Sequence, residues 1–392
     1  MSKKPLKIVY DARMIKLGQH GIGRYAYCLL QAISELDDEN KYLIITNNGG
    51  RLLKEVLSKP NFQNLTISTI PFFPSEHVAI PHLLRREKAD LFHSPSFLAP
   101  LLQPCPTIMT IHDTIPLLFP EGHSMMYPFY YEYSIKPAAK KAAKVLTVSE
   151  NSKKDIVRLL DVPSANIIVT PNAVGETYHV IFDADALEEV RRKYNLGEHF
   201  VLYVGNSQPH KNLIRLLMAF HQLTTQGFPD LELALSIRPN GELTRVIRDL
   251  DIRKKIKFLG NVPEQELPAL YNASVLFVYP SLYEGFGIPP LEAMACGTPL
   301  VTSKTSSLIE VVGDVREGKG AGLLINPYKV EEIALGMREV LTNERLRFLM
   351  REKGLRRTKQ FSWERTAMRT LRAYEEVSSF RINRRAKSWA QN

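Results

Sequence analysis

The chain has 392 residues, of which 44% are hydrophobic and 23% are charged, and its formal net charge is +10. This composition excludes a fibrous or disordered protein, and the length predicts two or three packed domains. No apolar run approaches the roughly 20 residues that span a bilayer, and the first residues lack the apolar segment of a signal peptide. Three scattered cysteines fit no metal-binding spacing, so we expect a cytoplasmic protein without a structural disulfide.

The basic excess indicates an anionic partner or simply a solvated surface. Nucleic acid is not expected, because no RNA- or DNA-binding signature is present and the aromatic residues do not alternate with the charges. Two basic clusters stand out, at 82–88 and at 136–144. Each is either a solvated helix face or a contact with an anionic membrane, and the sequence leaves both interpretations open.

In the first half of the chain, strand-like and helix-like patterns alternate, which is typical of a parallel sheet covered on both faces. Strands are predicted at 7–11, 42–46, 65–70, 89–93, 107–112, 145–148 and 167–170. Helices are predicted at 25–36, 125–141 and 151–160. The alternation breaks near 171–177, and a charged helix at 184–194 leads into the second half. A domain boundary is therefore expected near residues 175–195.

The second half repeats the alternation and therefore predicts a second parallel sheet. Strands are predicted at 200–204, 231–237, 256–259, 275–279, 300–303 and 322–325. Amphipathic helices close the chain, at 330–341, 344–359 and 363–377. From Ser378 onward, a tail containing Arg381, Arg384, Arg385 and Lys387 is expected to be loosely ordered.

The segment Glu284-Gly-Phe-Gly-Ile-Pro-Pro-Leu-Glu292 follows the predicted strand at 275–279. Its two prolines suit the first turn of a helix, and Gly297 suits the position just past the helix end. Glu284 is therefore predicted in a strand-to-helix loop, and Glu292 in the opening turns of the helix. Free amides at such a place favour phosphate, and two carboxylates suit hydroxyl pairs on a sugar. The alternative is an acidic, solvated helix face.

This segment resembles the signature of the retaining glycosyltransferases of family four. In that family a glutamate, seven residues and a second glutamate bind the donor nucleotide sugar. The resemblance implies that Glu292 binds the ribose hydroxyls and that Glu284, in the active site, binds the hexose hydroxyls. It further implies that the backbone around Phe286, Gly287 and Ile288 lines the sugar pocket.

The family has the GT-B architecture, so the resemblance implies an α/β fold of two facing Rossmann-like, parallel-sheet domains with a ligand cleft between them. We predict an acceptor-side domain at 1–180 and a nucleotide-sugar-binding domain at 190–365. The remaining residues, 366–392, are predicted to form a helix that crosses back onto the first domain, followed by the basic tail.

A second candidate group lies in the loop Gly205-Asn-Ser-Gln-Pro-His-Lys-Asn212, between a strand and a helix. Lys211 is suited to hold a diphosphate as a point charge at the helix entrance. The family places a basic pair here, whereas this chain has Asn206 where some members have arginine. Arg238, after the next strand, is a weak substitute for the second phosphate ligand; a solvated arginine is the favoured alternative.

Two candidates are expected in the first domain. The glycine loop Gly18-Gln-His-Gly-Ile-Gly-Arg-Tyr25 lets the backbone approach a ligand closely, and it is not a dinucleotide fingerprint. The resemblance implies that Gly21 and Gly23 face the donor phosphates and the acceptor; a simple tight turn is the alternative.

His112 ends a hydrophobic strand, and the resemblance implies that it contacts the donor sugar near the reacting carbon. Asp113 is expected to orient the loop.

The last candidates are Ser307 and Leu308, at a strand exit into a short helix. The amides there could meet the diphosphate, or the serines could serve only as helix caps, and the sequence leaves both open.

No Asp-x-Asp motif follows a strand, and the adjacent Asp37 and Asp38 lie at a helix end. Metal-independent chemistry without a cofactor is therefore expected.

The resemblance, with the residues that match it, implies a retaining hexosyltransferase that uses a nucleotide-diphosphate sugar. The resemblance to bacterial polysaccharide and lipopolysaccharide enzymes implies a glycan or lipid-linked acceptor. A cytoplasmic location is expected from the cysteines, and the basic clusters add a peripheral place on the inner membrane face as an option. UDP-glucose is the preferred donor, with GDP-mannose close behind. A nucleotide-sugar 2-epimerase and a silent nucleotide-sugar-binding scaffold remain as alternatives.

Overall fold

The computed structural model describes residues 5–16, 21–47, 50–69, 71, 73–122 and 126–389. The chain divides into two compact units. One consists of Met1–Asn172 together with Trp363–Asn392, and the other of Ala173–Ser362. Each unit contains its own sheet, and every strand pair is parallel.

The strands are numbered in chain order through the described residues. They are β1 Lys7–Asp11, β2 Lys41–Thr46, β3 Phe62–Thr66, β4 Leu91–Ser94, β5 Thr107–Thr110, β6 Lys144–Thr147, β7 Ile167–Val169, β8 Phe200–Val204, β9 Glu232–Ser236, β10 Ile256–Phe258, β11 Leu276–Tyr279, β12 Leu300–Ser303 and β13 Leu323–Ile325. The first sheet has the order β3-β2-β1-β4-β5-β6-β7, and the second has the order β10-β9-β8-β11-β12-β13.

The helices are numbered in the same way. They are α1 Ile22–Leu36, α2 Lys54–Leu57, α3 Glu76–Arg86, α4 Ile115–Leu118, α5 Met126–Tyr130, α6 Lys136–Lys141, α7 Glu150–Leu160, α8 Ala184–Lys193, α9 Leu213–Thr225, α10 Gly241–Asp249, α11 Leu267–Ala273, α12 Ile288–Ala295, α13 Leu308–Val311, α14 Val330–Thr342, α15 Glu344–Thr358 and α16 Trp363–Trp389. A π-helical turn, Tyr131–Ile135, joins α5 to α6.

The central strands are buried on both faces, which explains their almost uninterrupted apolar sequences. In β1, Ile8, Val9 and Tyr10 are 0% exposed, and in β8 all five residues are buried. Strand order reverses direction beside β1 in the first sheet and beside β8 in the second. Ligands of doubly wound sheets bind at the carboxyl ends of strands near such a reversal, so these two strand ends position the candidate sites.

The edge strand β3 was predicted too late in the chain, at 65–70 instead of Phe62–Thr66; residue 70 lies outside the described residues. Phe62 is the buried residue of this strand, and its ring stacks on Tyr42 with 4.4 Å between ring centroids. Gln63 and Asn64 are exposed. An edge strand that buries one ring has no clear apolar run, so the apolar residues that follow it misled the prediction.

The units divide between Asn172 and Ala173, just before the boundary expected near residues 175–195. The segment after Ala173 packs on the second unit, where the backbone N–H of Ile181 donates to Asn272 Oδ1 at 2.9 Å. Asn272 Nδ2 in turn donates to the carbonyl of His179 at 2.9 Å. These hydrogen bonds fasten the connecting segment to α11, which the sequence pattern alone did not indicate.

The last helix returns to the first unit, as predicted. Thr366 Oγ1 donates to the carbonyl of Pro171, and Arg369 donates to the carbonyl of Val169 at 2.9 Å. The Tyr374 hydroxyl lies 2.6 Å from Nδ1 of the buried His93 in β4. Residues 366–392 are thus part of the first unit.

The segment from Ser378, expected to be loosely ordered, has a helical backbone as far as Trp389, and residues 390–392 lie outside the described residues. Residues 378–389 contain no glycine or proline and include several strong helix formers, so nothing in their sequence ends the helix.

Within the described residues, no helix combines enough length with enough apolar character to cross a bilayer.

Candidate functional site

The predicted carboxylate loop joins β11 to α12 in the second unit. Gly287 precedes the helix with φ of 103°, a conformation that L side chains rarely adopt. A Cβ at this position would lie 2.7 Å from Leu308 Cδ2, so the loop also needs glycine for close packing. The two prolines lie in the first turn of α12, and Gly297 follows the helix with φ of 72°. Glu284 and Glu292 therefore lie in the loop and the helix, where they were predicted.

Lys211 and Glu284 form a buried ion pair. Lys211 Nζ lies 2.6 Å from Glu284 Oε1, and the two side chains are 10% and 9% exposed. The same nitrogen donates to the Tyr279 hydroxyl at 3.0 Å. Lys211 belongs to a short helical turn, Pro209–Lys211, that precedes α9, and Tyr279 is the last residue of β11. The structure thus brings together two of the predicted site residues and a tyrosine that the sequence analysis did not name.

Two serines after β12 hold the backbone of the carboxylate loop. Ser306 Oγ accepts the backbone N–H of Glu284 at 3.0 Å. The Ser307 hydroxyl contacts the carbonyls of Glu284 and Phe286, each at 2.9 Å. Ser307 and Leu308 are both 0% exposed. The Ser307 hydroxyl is therefore engaged in shaping the loop rather than in capping a helix, and the Leu308 side chain packs beneath Gly287.

Glu292 is 2% exposed and is held by a second tyrosine. The Tyr271 hydroxyl in α11 donates to Glu292 Oε2 at 2.9 Å. Burial, and then the Glu292 charge, raise the pKa of Tyr271 well above its ordinary value. Burial and the same charge also raise the pKa of the Cys296 thiol, which is 2% exposed.

The loop that carries Lys211 is shaped by its own polar groups. The Tyr203 hydroxyl donates to the carbonyl of Asn206 at 2.8 Å, and a Cβ on Gly205 would lie 2.6 Å from that hydroxyl oxygen. Asn206 is exposed, and its Oδ1 accepts the backbone N–H of Gln208 at 3.1 Å. Asn206 therefore has a local, turn-forming role in the structure. Arg238 is exposed on the segment between β9 and α10.

Asn212 ties this loop to two neighbouring segments. Its Nδ2 donates to the carbonyl of Pro280 at 3.0 Å and to that of Pro327 at 2.7 Å. The backbone N–H of Leu282 donates to the carbonyl of His210 at 2.7 Å. The segments after β8 and β11 are thereby fastened together, which keeps the Lys211 side chain next to Glu284.

In the first unit, His112 follows β5 and is partly buried. Its Nε2 lies 3.1 Å from the carbonyl of Pro95, and its ring meets Tyr25 edge-on at 4.5 Å. Burial lowers the pKa of His112 to about 4, so the imidazole is neutral near pH 7. Because a carbonyl can only accept, Nε2 carries the proton and Nδ1 is the acceptor. Asp113 Oδ1 accepts the backbone N–H of Ile115 at 2.9 Å, as expected for a residue that orients the loop.

The predicted glycine loop is described only from Gly21 onward, and residues 18–20 lie outside the described residues. Gly21 precedes α1 with φ of 76°. Gly23 is buried in the first turn of α1. Tyr25, two residues further, contacts His112, so the start of α1 and the end of β5 are neighbours within this unit.

The described residues contain no group of three or more histidine, cysteine, aspartate or glutamate side chains that could hold a metal ion. Asp37, one of the adjacent aspartates, accepts backbone N–H groups of Glu39 and Asn40 at 3.1 and 3.0 Å. It therefore shapes the turn between α1 and β2.

Comparison with known proteins agrees with this architecture. Residues 187–357 match the family Glycosyl transferases group 1, and residues 20–177 match Glycosyltransferase Family 4. The chain is 34% identical over 394 residues to O-antigen chain mannosyltransferase B of Escherichia coli, covering 94% of this chain and 100% of that protein. It is 28% identical over 330 residues to O-antigen chain mannosyltransferase RfbU of Salmonella typhimurium, covering 80% and 85% respectively.

Solved structures show the same fold. Anabaena Alr3699/HepE in complex with UDP and glucose matches with a TM-score of 0.73 at 19% identity, covering 94% of this chain and 99% of that one. Two parallel-sheet units, with a carboxylate loop before a helix, define a glycosyltransferase of the GT-B class. The chain belongs to the group 1 and family 4 glycosyltransferases, which confirms the family predicted from the Glu284–Glu292 segment.

Proposed function

We propose that this glycosyltransferase transfers mannose from GDP-mannose to a growing O-antigen-type glycan. The observation that carries this proposal is the 34% identity to a mannosyltransferase along that protein's whole length. A second relative with 80% coverage of this chain is also named as an O-antigen mannosyltransferase. The expected preference for UDP-glucose has no support among these relatives, so GDP-mannose replaces it as the proposed donor.

The proposed chemistry needs a group that neutralises the leaving nucleoside diphosphate. Lys211 is suited to this role because it is a buried cation within 2.6 Å of Glu284, a carboxylate suited to sugar hydroxyls. A preorganised cation in a water-poor site stabilises a developing anion more strongly than one in water. We therefore propose metal-independent transfer, with Lys211 on the diphosphate, Glu284 on the hexose and Glu292 on the ribose.

Retention of configuration is proposed from family membership. Front-face attack is favoured, in which a donor phosphate oxygen accepts the proton of the acceptor hydroxyl. His112 is proposed to contact the sugar. Its neutral form and its Pro95 contact leave Nδ1 as the acceptor for a sugar hydroxyl. We also propose that the donor phosphates contact Gly21, Gly23 and the backbone amides of Ser307 and Leu308. A donor contact is the weaker interpretation for Asn206 and Arg238, because both side chains are exposed.

The test is to incubate the purified chain with a panel of nucleotide sugars and a mannan-type oligosaccharide acceptor. We expect GDP-mannose to be consumed and an α-linked product to be seen by NMR. Consumption of UDP-glucose instead would contradict the proposed donor. An altered sugar released without an acceptor would indicate a 2-epimerase, and binding without any turnover would indicate a silent scaffold.

We also propose that the first unit contacts an anionic membrane, as suits a lipid-linked acceptor. The π-turn and α3 meet at His77, whose Nε2 lies 3.4 Å from Ser134 Oγ. The exposed apolar side chains of the first unit include Phe73, Val78, Leu102, Met126, Phe129 and Tyr133. Val78, His82 and Arg85 follow one another at helical spacing along α3, so apolar and basic groups share one exposed face.

The two basic clusters differ in the structure. Asp161 pairs with Lys136 at 3.0 Å and with Lys140 at 3.2 Å, which neutralises part of the cluster at 136–144. His82, Arg85 and Arg86, on α3, are exposed. Arg86 pairs with Glu87 at 2.9 Å, so each cluster has part of its charge paired. The cluster on α3 is the proposed contact with anionic lipid because it shares an exposed face with Val78.

A further inference from the structure

Tyr279 is 1% exposed, and its hydroxyl belongs to the same buried group as Lys211 and Glu284. The hydroxyl oxygen lies 3.0 Å from Lys211 Nζ, which in turn lies 2.6 Å from Glu284 Oε1. Burial, then the charge of Glu284 and a hydrogen bond to it, raise the pKa of Tyr279 well above its ordinary value. The phenol therefore keeps its proton, and its oxygen can accept from the ammonium while its proton is shared with the carboxylate.

The ring of Tyr279 has little freedom to move. It stacks against Tyr203, with 5.8 Å between ring centroids, and against Phe277, with 5.9 Å, and the interplanar angle is 19° in both pairs. Thr302 Oγ1 donates to the Tyr279 carbonyl at 2.8 Å, which fixes the end of the strand. The sheet thus sets the position of the hydroxyl, whereas Lys211 has a flexible four-carbon stem that needs a fixed partner to be held in one place.

We propose that Tyr279 is a positioning residue of the donor site, whose hydroxyl holds the Lys211 ammonium and the Glu284 carboxylate in register. This inference rests on the proposed function of Lys211 and Glu284. When Lys211 contacts a phosphate and Glu284 contacts a sugar hydroxyl, the direct contact between the two charges must loosen. A hydroxyl that can both accept and donate keeps a hydrogen bond to each charge, so neither is left buried without a partner.

The second unit contains a matched comparison. Lys193 Nζ lies 2.7 Å from Glu266 Oε1, and the Tyr194 hydroxyl donates to Glu266 Oε2 at 2.8 Å. This is also a lysine, a glutamate and a tyrosine, but Lys193 is 55% exposed and the group joins α8 to the segment before α11. Tyr194→Phe removes a comparable hydrogen bond at a place without a role in the donor site.

The test is a double-mutant cycle on the full chain. Tyr279→Phe removes only the hydroxyl, and we expect kcat to fall about tenfold, as for loss of one hydrogen bond to a charged group, with the donor KM changed less than about threefold. In a Lys211→Met background, Tyr279→Phe should cause a clearly smaller loss than in the native chain, because the hydroxyl then has only Glu284 left to hold. Tyr194→Phe should leave kcat unchanged. Glu284→Gln is the second background if Lys211→Met does not fold.

An unchanged kcat for Tyr279→Phe would overturn the inference. Equal losses in the native and Lys211→Met backgrounds would also overturn it, because they would indicate a structural role alone. If the native chain turns over no nucleotide sugar, the proposed function fails. The same cycle is then measured on GDP and UDP affinity by calorimetry, where coupling between Tyr279 and Lys211 supports the positioning role and additivity excludes it.

Discussion

Lys211 Nζ lies 2.6 Å from Glu284 Oε1, and the two residues are 73 positions apart in the chain. Each follows a different strand, β8 and β11, and these strands are neighbours in the sheet. The pairing of the strands therefore brings the two charges together at one sheet edge. Both side chains are about nine-tenths buried, so each charge is stabilised by the opposite charge beside it.

The first prediction concerns the stability of this pair. Lys211→Met and Glu284→Gln should each lower the free energy of unfolding of the second unit by about 3–5 kcal/mol, because each takes the opposite charge away from a buried ion. The double variant should be less destabilised than the sum of the single variants. Urea unfolding followed by tyrosine fluorescence and circular dichroism measures this, and strict additivity would contradict the ion pair.

Much of the fold could be predicted because buried parallel strands leave strong apolar runs, as in β1 and β8. The Glu284–Glu292 segment was placed correctly because proline and glycine fix where a helix starts and ends. The edge strand β3 and helix α3 could not be placed as well. β3 buries one ring, and α3 has a proline, Pro81, inside its apolar pattern.

The site was predicted less completely than the fold. Tyr279, Tyr271 and Ser306 act on the predicted carboxylates and loop, yet each contact joins residues more than 20 positions apart. A tyrosine in an apolar strand looks like any core residue, so only the three-dimensional pairing of strands reveals its hydroxyl contact. For Asn206, a candidate donor ligand from its place in the loop, the structure adds a local contact, in which its Oδ1 accepts the backbone N–H of Gln208.

The second prediction concerns Glu292. Glu292→Ala should weaken GDP affinity about ten- to a hundred-fold, since loss of a charged hydrogen bond costs about 1.5–3 kcal/mol. Tyr271→Phe, which removes the hydroxyl that holds Glu292 Oε2, should have a smaller effect in the same direction. Calorimetric titration with GDP measures both. An unchanged affinity in a folded Glu292→Ala protein would refute the ribose assignment.

The third prediction is that the first unit loses stability as the pH falls from about 6.5 to 4. Burial lowers the pKa of His112 to about 4 and that of His93 to about 3, against an ordinary value of 6.5. Over this range the unfolded chain binds more protons than the folded one, so acid favours unfolding by about 1.4 kcal/mol per pH unit for each histidine. Above pH 6.5 neither group contributes a slope.

Denaturant unfolding at a series of pH values, followed in His93→Gln and His112→Gln, tests this origin. Each variant should show a shallower loss of stability between pH 6.5 and 4 than the native chain. His82→Gln, on the exposed face of α3, is the control and should leave the slope unchanged. If neither buried-histidine variant flattens the slope, the acid sensitivity has another source.

The fourth prediction concerns the membrane surface. The chain should float with vesicles that contain phosphatidylglycerol and should not float with phosphatidylcholine alone, because each well-placed charge adds about 1 kcal/mol. Arg85→Gln combined with Arg86→Gln should reduce flotation. Lys136→Gln combined with Lys140→Gln should have a smaller effect, since Asp161 already pairs with both lysines. Binding that depends on neither anionic lipid nor salt would exclude the proposal.

The last prediction concerns how the leaving diphosphate is neutralised. If Lys211 carries this charge, turnover should survive EDTA, and Lys211→Ala should lower kcat by roughly 10²–10³, as for other lost donors to a developing anion. Because Lys211→Ala also leaves Glu284 buried without its partner, the rate must be normalised to the folded fraction measured by circular dichroism. Lys193→Ala removes the more exposed lysine of the matched group and should keep a normal rate. Strong dependence on a divalent metal, together with a near-normal rate for Lys211→Ala, would overturn the mechanism.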